Sequence, residues 1–123
     1  MFEVSVVMDF SAAHNLRGYR GKCEALHGHN WKVQVNLQAE KLDKIGMVTD
    51  FKVIKEKLKE ILALLDHKYL NQLSYFKKIN PTSENIAKLI YGKMKERLRN
   101  SSVAVHSVKI WETDNSYATY GEA

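Results

Sequence analysis

His27-Gly28-His29-Asn30-Trp31-Lys32-Val33-Gln34-Val35-Asn36-Leu37-Gln38 alternates two kinds of residue. Trp31, Val33, Val35 and Leu37 are apolar, while Lys32, Gln34, Asn36 and Gln38 are polar, which is the period of a half-buried β-strand. His27 and His29 keep the apolar parity, so both imidazoles project to one face where a loop runs into the strand, with Gly28 removing bulk between them. Such a pair forms a pincer for one ion, and imidazole suits zinc.

On the N-terminal side, Phe2 to Phe10 reads as a β-branched, largely apolar strand that runs directly into Ser11–His14. If the two strands pair as an antiparallel hairpin around the loop 15–26, His14 returns to meet the pincer. Three imidazoles leave the fourth tetrahedral position free for water or substrate. Cys23, the only cysteine, stands four residues before His27. It reads as a small buried hydrophobe, as the fourth ligand of a closed structural site, or as a free thiolate serving as base or nucleophile beside an open one.

On the C-terminal side, Asp50 is a helix N-cap, and Phe51, Ile54, Leu58, Ile61, Leu62 and Leu65 share one helical face. Asp66-His67 closes this pattern, either as an ordinary helix C-terminus or as an aspartate orienting a proton-exchanging histidine. A second helix starts at Pro81-Thr82-Ser83-Glu84, capped by Thr82 or Ser83, and buries Ile86, Leu89, Ile90, Met94 and Leu98. The hydroxyls of Thr82 and Ser83 serve capping or the recognition of a polar ligand. Val103–Glu112 returns to strand character and Tyr117–Tyr120 forms a short last strand. Glu112 shares parity with Val108 and Ile110, which aims its carboxylate at a protected space suited to the paired N–H donors of a heterocycle, or leaves it at a strand end in solvent. His106 has no assigned role. The order ββααββ, with no linker or repeat, predicts a single α+β domain over residues 1–123: an antiparallel sheet with two helices on one face.

The single cysteine excludes an intrachain disulfide, and neither a signal-type segment nor a long apolar span is present, which predicts a cytoplasmic protein without membrane partners. The formal charge of +5 favours anionic ligands, nucleic acid or a phosphorylated small molecule. Much of that excess lies on solvated helix faces, at Lys52, Lys55, Lys57 and Lys59 and at Lys93, Lys95, Arg97 and Arg99.

Taken in order, Phe10-Ser11-Ala12-Ala13-His14, Cys23 with His27-Gly28-His29, Val48-Thr49-Asp50-Phe51, Leu65-Asp66-His67 with Tyr69-Leu70-Asn71, Pro81-Thr82-Ser83-Glu84-Asn85 and Glu112-Thr113 resemble the 6-pyruvoyltetrahydropterin synthase / 6-carboxytetrahydropterin synthase family over essentially the whole chain. The short Cys-x-x-x-His-Gly-His spacing most resembles the carboxy branch, which acts on the route to queuosine-type deazapurines. Glu112-Thr113-Asp114-Asn115 looks more like the pyruvoyl branch.

The resemblance implies Zn2+ held by His14, His27 and His29, Cys23 as the proton-accepting thiolate, and Asp66 with His67 as a proton relay. It implies that Glu112 anchors the pterin and joins that relay, with Thr82 and Ser83 holding the ring. The implied reaction converts 7,8-dihydroneopterin triphosphate to 6-carboxy-5,6,7,8-tetrahydropterin, acetaldehyde and triphosphate, or, in the pyruvoyl branch, eliminates triphosphate and retains the side chain. Apart from the resemblance, Arg17, Arg20 and Lys22 in the loop 15–26 read either as cations near the triphosphate or as residues of a solvated loop. The implied tunnelling fold (T-fold) joins subunit sheets into a trimeric barrel and stacks two rings into a homohexamer, in which Asp66 and His67 can serve a neighbouring subunit. Two other classes stay open: a zinc-stabilised nucleic-acid or protein-binding module with Cys23 as fourth ligand, and a three-histidine zinc hydrolase independent of Cys23.

Overall fold

The alternation of residues 27–38 becomes β2 (His27–Ala39), which pairs antiparallel with β1 (Phe2–His14) from Phe2 opposite Ala39 to His14 opposite His27. The computed structural model describes residues 1–21 and 24–122, so the expectations placed on Lys22 and Cys23 lie outside the described residues. β4 (Ala104–Thr113) pairs antiparallel with β2, and β5 (Ser116–Gly121) with β4. β3 (Lys68–Tyr69), absent from the expected order, pairs in parallel with β1 through Ala12–Lys68 and Ala13–Tyr69. Two residues are too few to carry a period of two, so nothing in the sequence marks it. The sheet order is β3-β1-β2-β4-β5.

Helix α1 (Phe51–Leu62) starts where the Asp50 carboxylate accepts the Lys52 N–H. Ile54, Leu58, Ile61 and Leu62 face the sheet and are buried. Phe51, expected on that face, is 51% exposed, because the first helical residue lies at the rim, beside Phe2 and Met47. The helix also stops sooner than expected. After Leu62 the chain tightens into i→i−3 bonds, from Leu64 N–H to Ile61 O and from Leu65 N–H to Leu62 O. Leu65 is still buried, but Asp66-His67 sits on the turn beyond the helix and not at its end. His67 adopts φ 57°, the left-handed conformation that releases the chain towards β3.

Two single 3₁₀ turns, Leu70–Gln72 and Ser74–Phe76, lead to α2 (Ser83–Arg97). Thr82 is its cap, accepting the Asn85 N–H at 3.1 Å. Ile86, Ala87, Ile90, Tyr91 and Met94 are buried over β4 and β5, while Leu89 is only half-buried. Trp31, Val33, Val35, Leu37, Val108 and Ile110 complete the core from the sheet side. The opposite face is polar: Asn36 donates to Ser107 Oγ at 2.9 Å and accepts from Gln34 at 2.7 Å. Among the described residues no helix is long and apolar enough to cross a membrane.

Ile90 and Phe51 provide a contrast within the helical layer. Ile90 has no exposed surface, so Ile90→Ala is expected to cost about 2–5 kcal/mol in denaturant unfolding. Phe51→Ala, at an exposed position, is expected to cost roughly 1 kcal/mol or less.

Candidate metal centre and active site

The β1–β2 register sets His14 directly across from His27, at the end of the hairpin. His27 and His29 lie on the same side of β2 as the fully buried Trp31. The Trp31 ring meets His14 and His29 edge-on, with centroids 4.8 and 5.2 Å away, and its indole N–H donates to Ala12 O. It forms a fixed apolar floor beneath the imidazoles. Gly28 plays a different part from the one expected: a Cβ there would meet only Ala12 O, at an ordinary 3.8 Å. Strand alternation directs position 28 away from the pincer, towards a cavity of about 530 Å³ that it helps to line.

Two imidazoles are oriented by main-chain carbonyls. His14 Nδ1 lies 2.8 Å from Pro81 O, and His27 Nδ1 lies 2.7 Å from Ala25 O. A carbonyl can only accept, so each Nδ1 carries a hydrogen, and in the neutral tautomer that this bond selects Nε2 presents a lone pair towards the other ring. Those two Nε2 atoms are 2.9 Å apart. Facing lone pairs repel unless a proton or a cation lies between them. His29 Nε2, buried and 3.1 Å from Glu112 Oε1, makes no aligned hydrogen bond and is left without a partner.

Glu112 Oε1 is also 3.1 Å from His14 Nε2. The ligand atoms of His14, His27, His29 and Glu112 all lie within 4.8 Å of one another, and this group could hold a metal ion. The donor set fits zinc: borderline nitrogen ligands, an orphaned buried nitrogen, and outer Nδ1–H bonds of the kind that fix ligating histidines. Sequence reasoning did not find the Pro81 and Ala25 carbonyls, because every residue carries one and no side-chain pattern marks those that matter.

Burial, and then the neighbouring His14 and His27, hold the His29 pKa below its usual value, against the opposing pull of Glu112. The neutral, ligating form therefore dominates near pH 7.

The turn beyond α1 brings Asp66 back to β1. Asp66 Oδ1 accepts the Ser11 N–H at 2.9 Å, and Oδ2 lies 3.0 Å from His67 Nδ1. The Ser11 N–H, followed by His67, holds the Asp66 carboxyl below the usual carboxylate range. His67 is itself anchored through its backbone N–H to Ser11 O, while its ring is 82% exposed. His67 and Tyr69 line the same cavity as His29 and Gly28.

Thr82 uses one lone pair as the α2 cap and keeps its hydroxyl hydrogen, and Ser83 begins the helix. Arg17 does not point into the cavity. Its guanidinium donates to Phe76 O and to Ile79 O, a structural tether rather than a free phosphate contact. Arg20 is exposed.

Two measurements check the centre. Zinc at about 100 times its Kd is expected to stabilise the metal-free protein by about 2.7 kcal/mol in thermal melts, and His14→Ala to lose most of that gain. Because the His29 pKa is lowered from 6.5, the unfolded chain takes up its proton at a higher pH than the folded one, so metal-free stability should fall as pH drops below about 6.5. Replacing His29 by Gln should flatten that slope.

A family model described as 6-pyruvoyl tetrahydropterin synthase matches residues 3–123. A Synechocystis protein named 6-carboxy-5,6,7,8-tetrahydropterin synthase is 39% identical, over 90% of this chain and 86% of its own. A Haemophilus influenzae protein of the same name is 32% identical, over 99% and 100%. The solved structure of Caenorhabditis elegans 6-pyruvoyl tetrahydropterin synthase superposes with a TM-score of 0.89 at 32% identity, covering 99% of this chain and 96% of that one.

Proposed function

Because the chain belongs to the 6-pyruvoyl tetrahydropterin synthase family, we propose that it is a zinc-dependent 6-carboxy-5,6,7,8-tetrahydropterin synthase, a lyase converting 7,8-dihydroneopterin triphosphate to 6-carboxytetrahydropterin, acetaldehyde and triphosphate. The product would feed queuosine-type deazapurines. The observation that most supports this chemistry is the pair of carbonyl-pinned imidazoles whose Nε2 atoms face each other at 2.9 Å beside the unpartnered His29.

His14, His27 and His29 would hold zinc, which when bound supplies Lewis acidity to substrate side-chain oxygens and acidifies the neighbouring C–H and O–H groups. Cys23 acts as the base that removes a side-chain proton. His67 returns a proton, its ring held and its charge stabilised by Asp66 at 3.0 Å. Glu112 accepts the N–H donors of the pterin, and the hydroxyls of Thr82 and Ser83 donate to the ring. A triphosphate of this charge does not cross membranes unaided, which supports a cytoplasmic site of action.

The sheet leaves β5 and the two-residue β3 at its edges. Unpaired edges favour closure with other copies, and we assign a homohexamer of two stacked trimeric barrels. Light scattering should give six chain masses; a monomer would overturn this assembly.

The second reading, 6-pyruvoyltetrahydropterin synthase, is favoured by Glu112-Thr113-Asp114-Asn115 and by the likeness to the Caenorhabditis elegans structure. Incubation of zinc-loaded protein with dihydroneopterin triphosphate, with products identified by mass, separates the two. Acetaldehyde and 6-carboxytetrahydropterin are expected, retention of the whole side chain would select the pyruvoyl branch, and no pterin turnover would reject both. Cys23→Ser should keep its zinc and lose roughly 10²-fold or more in kcat. Joint loss of zinc and fold would instead mark a closed structural site.

A further inference from the structure

Glu112 lies where β4 loses its register. The ladder with β2 ends at Trp111, and the ladder with β5 steps from Trp111–Tyr117 to Thr113–Ser116, so position 112 falls in an irregularity. Such a bulge re-aims a side chain. Here it sends the carboxylate onto the imidazoles, where one oxygen, Oε1, is 3.1 Å from both His14 Nε2 and His29 Nε2.

Those contacts are poor as hydrogen bonds. The bond to Pro81 O puts the His14 hydrogen on Nδ1, so in the neutral tautomer Oε1 meets a lone pair on Nε2. His29 Nε2 has no aligned partner. As spacings between ligands, however, the same contacts are ordinary. Atoms about 2.0–2.1 Å from a shared tetrahedral centre lie about 3.3–3.4 Å from one another. The His14–His27, His14–Glu112 and His29–Glu112 separations are 2.9, 3.1 and 3.1 Å, and all four ligand atoms fall within 4.8 Å.

A carboxylate in this position conflicts with the substrate. Zinc sites hold four ligands and reach five during reaction. Three imidazoles and Glu112 therefore leave at most one place, too few for two side-chain oxygens of the substrate. As the pterin anchor, the same carboxylate must also turn to the ring N–H donors.

We infer that Glu112 is the fourth ligand of the substrate-free centre and a latch: engagement of the pterin ring draws its carboxylate off the ion and frees a place for the side-chain oxygens. This rests on the reading of Glu112 as the pterin anchor. Recognition of the ring then precedes access to the ion, and oxygen ligands without a ring meet a filled position.

The test measures zinc affinity of the full chain by competition with a chromogenic chelator, with and without saturating unsubstituted pterin, which has the ring and no side-chain oxygens. Pterin should raise the wild-type zinc Kd roughly tenfold. Glu112→Gln should by itself raise it at least roughly tenfold, since losing even an outer partner of a ligand costs that much, and should lose the response to pterin. Glu60→Gln, at an exposed carboxylate of α1, removes the same charge and should change neither. With cobalt(II) in place of zinc, the visible bands of the wild type should shift on adding pterin, because the ligand set changes. Unchanged zinc Kd and cobalt bands in pterin-bound wild type would overturn the latch. A wild-type zinc Kd in folded Glu112→Gln would overturn the ligand itself. The wild-type measurements need no variant, so they decide even where Glu112→Gln fails to fold. Wild-type protein that takes up zinc and binds no pterin would strike the anchor reading instead, and the zinc Kd of Glu112→Gln then decides the ligand alone.

Discussion

The antiparallel ladder between β1 and β2 positions nearly everything else in the molecule. It runs unbroken from Phe2 opposite Ala39 to His14 opposite His27. Because side chains alternate with a period of two, a slip of one residue would turn the Trp31, Val33, Val35 and Leu37 row out of the core and separate His14 from His27 in the same step. The hydrophobic driving force for the correct register is thus also what gathers the histidines that could hold a metal ion. Core formation and site formation are one event at this end of the sheet.

The cost of that arrangement falls on the histidines. His14 is buried, His29 is partly buried with an unpartnered nitrogen, and two Nε2 lone pairs face each other. Groups placed in this way favour any cation that can satisfy them, which couples ion binding to folding at the hairpin end. Asp66 and His67 stand apart from this pressure. They lie on an exposed turn, and their geometry comes from bonds to Ser11, whose N–H and carbonyl both reach back to them. One strand therefore carries a metal-ligand candidate at its tip and, three residues earlier, the anchor of the Asp66–His67 pair.

What the sequence disclosed follows from range. The period of β2, the caps Asp50 and Thr82, and the α2 face around Ile86, Ile90 and Met94 all depend on neighbours within one or two turns, and these were readable. The convergence of His14 with His27 and His29 also followed, once a hairpin was assumed, because its register is local to the loop. Leu65 misled: its apolar place in the helical period suggested that α1 continued, when a tightened turn buries it outside the helix. β3 was invisible because two residues hold no pattern. Arg17 looked like a phosphate ligand because a guanidinium carries its charge wherever it points, and only the fold shows it tied to Phe76 and Ile79 carbonyls.

The pins on His14 and His27 come from the main chain of Pro81 and Ala25. A carbonyl survives every point substitution at its own position, provided the backbone path is kept. The orientation of these two rings is therefore insulated from mutation in a way that a carboxylate or amide partner would not permit. Relatives can diversify the side chains around the hairpin mouth, and with them the shape and charge presented to a substrate, while the imidazoles stay aimed at the same point. Such a centre can be inherited unchanged beneath a drifting specificity surface.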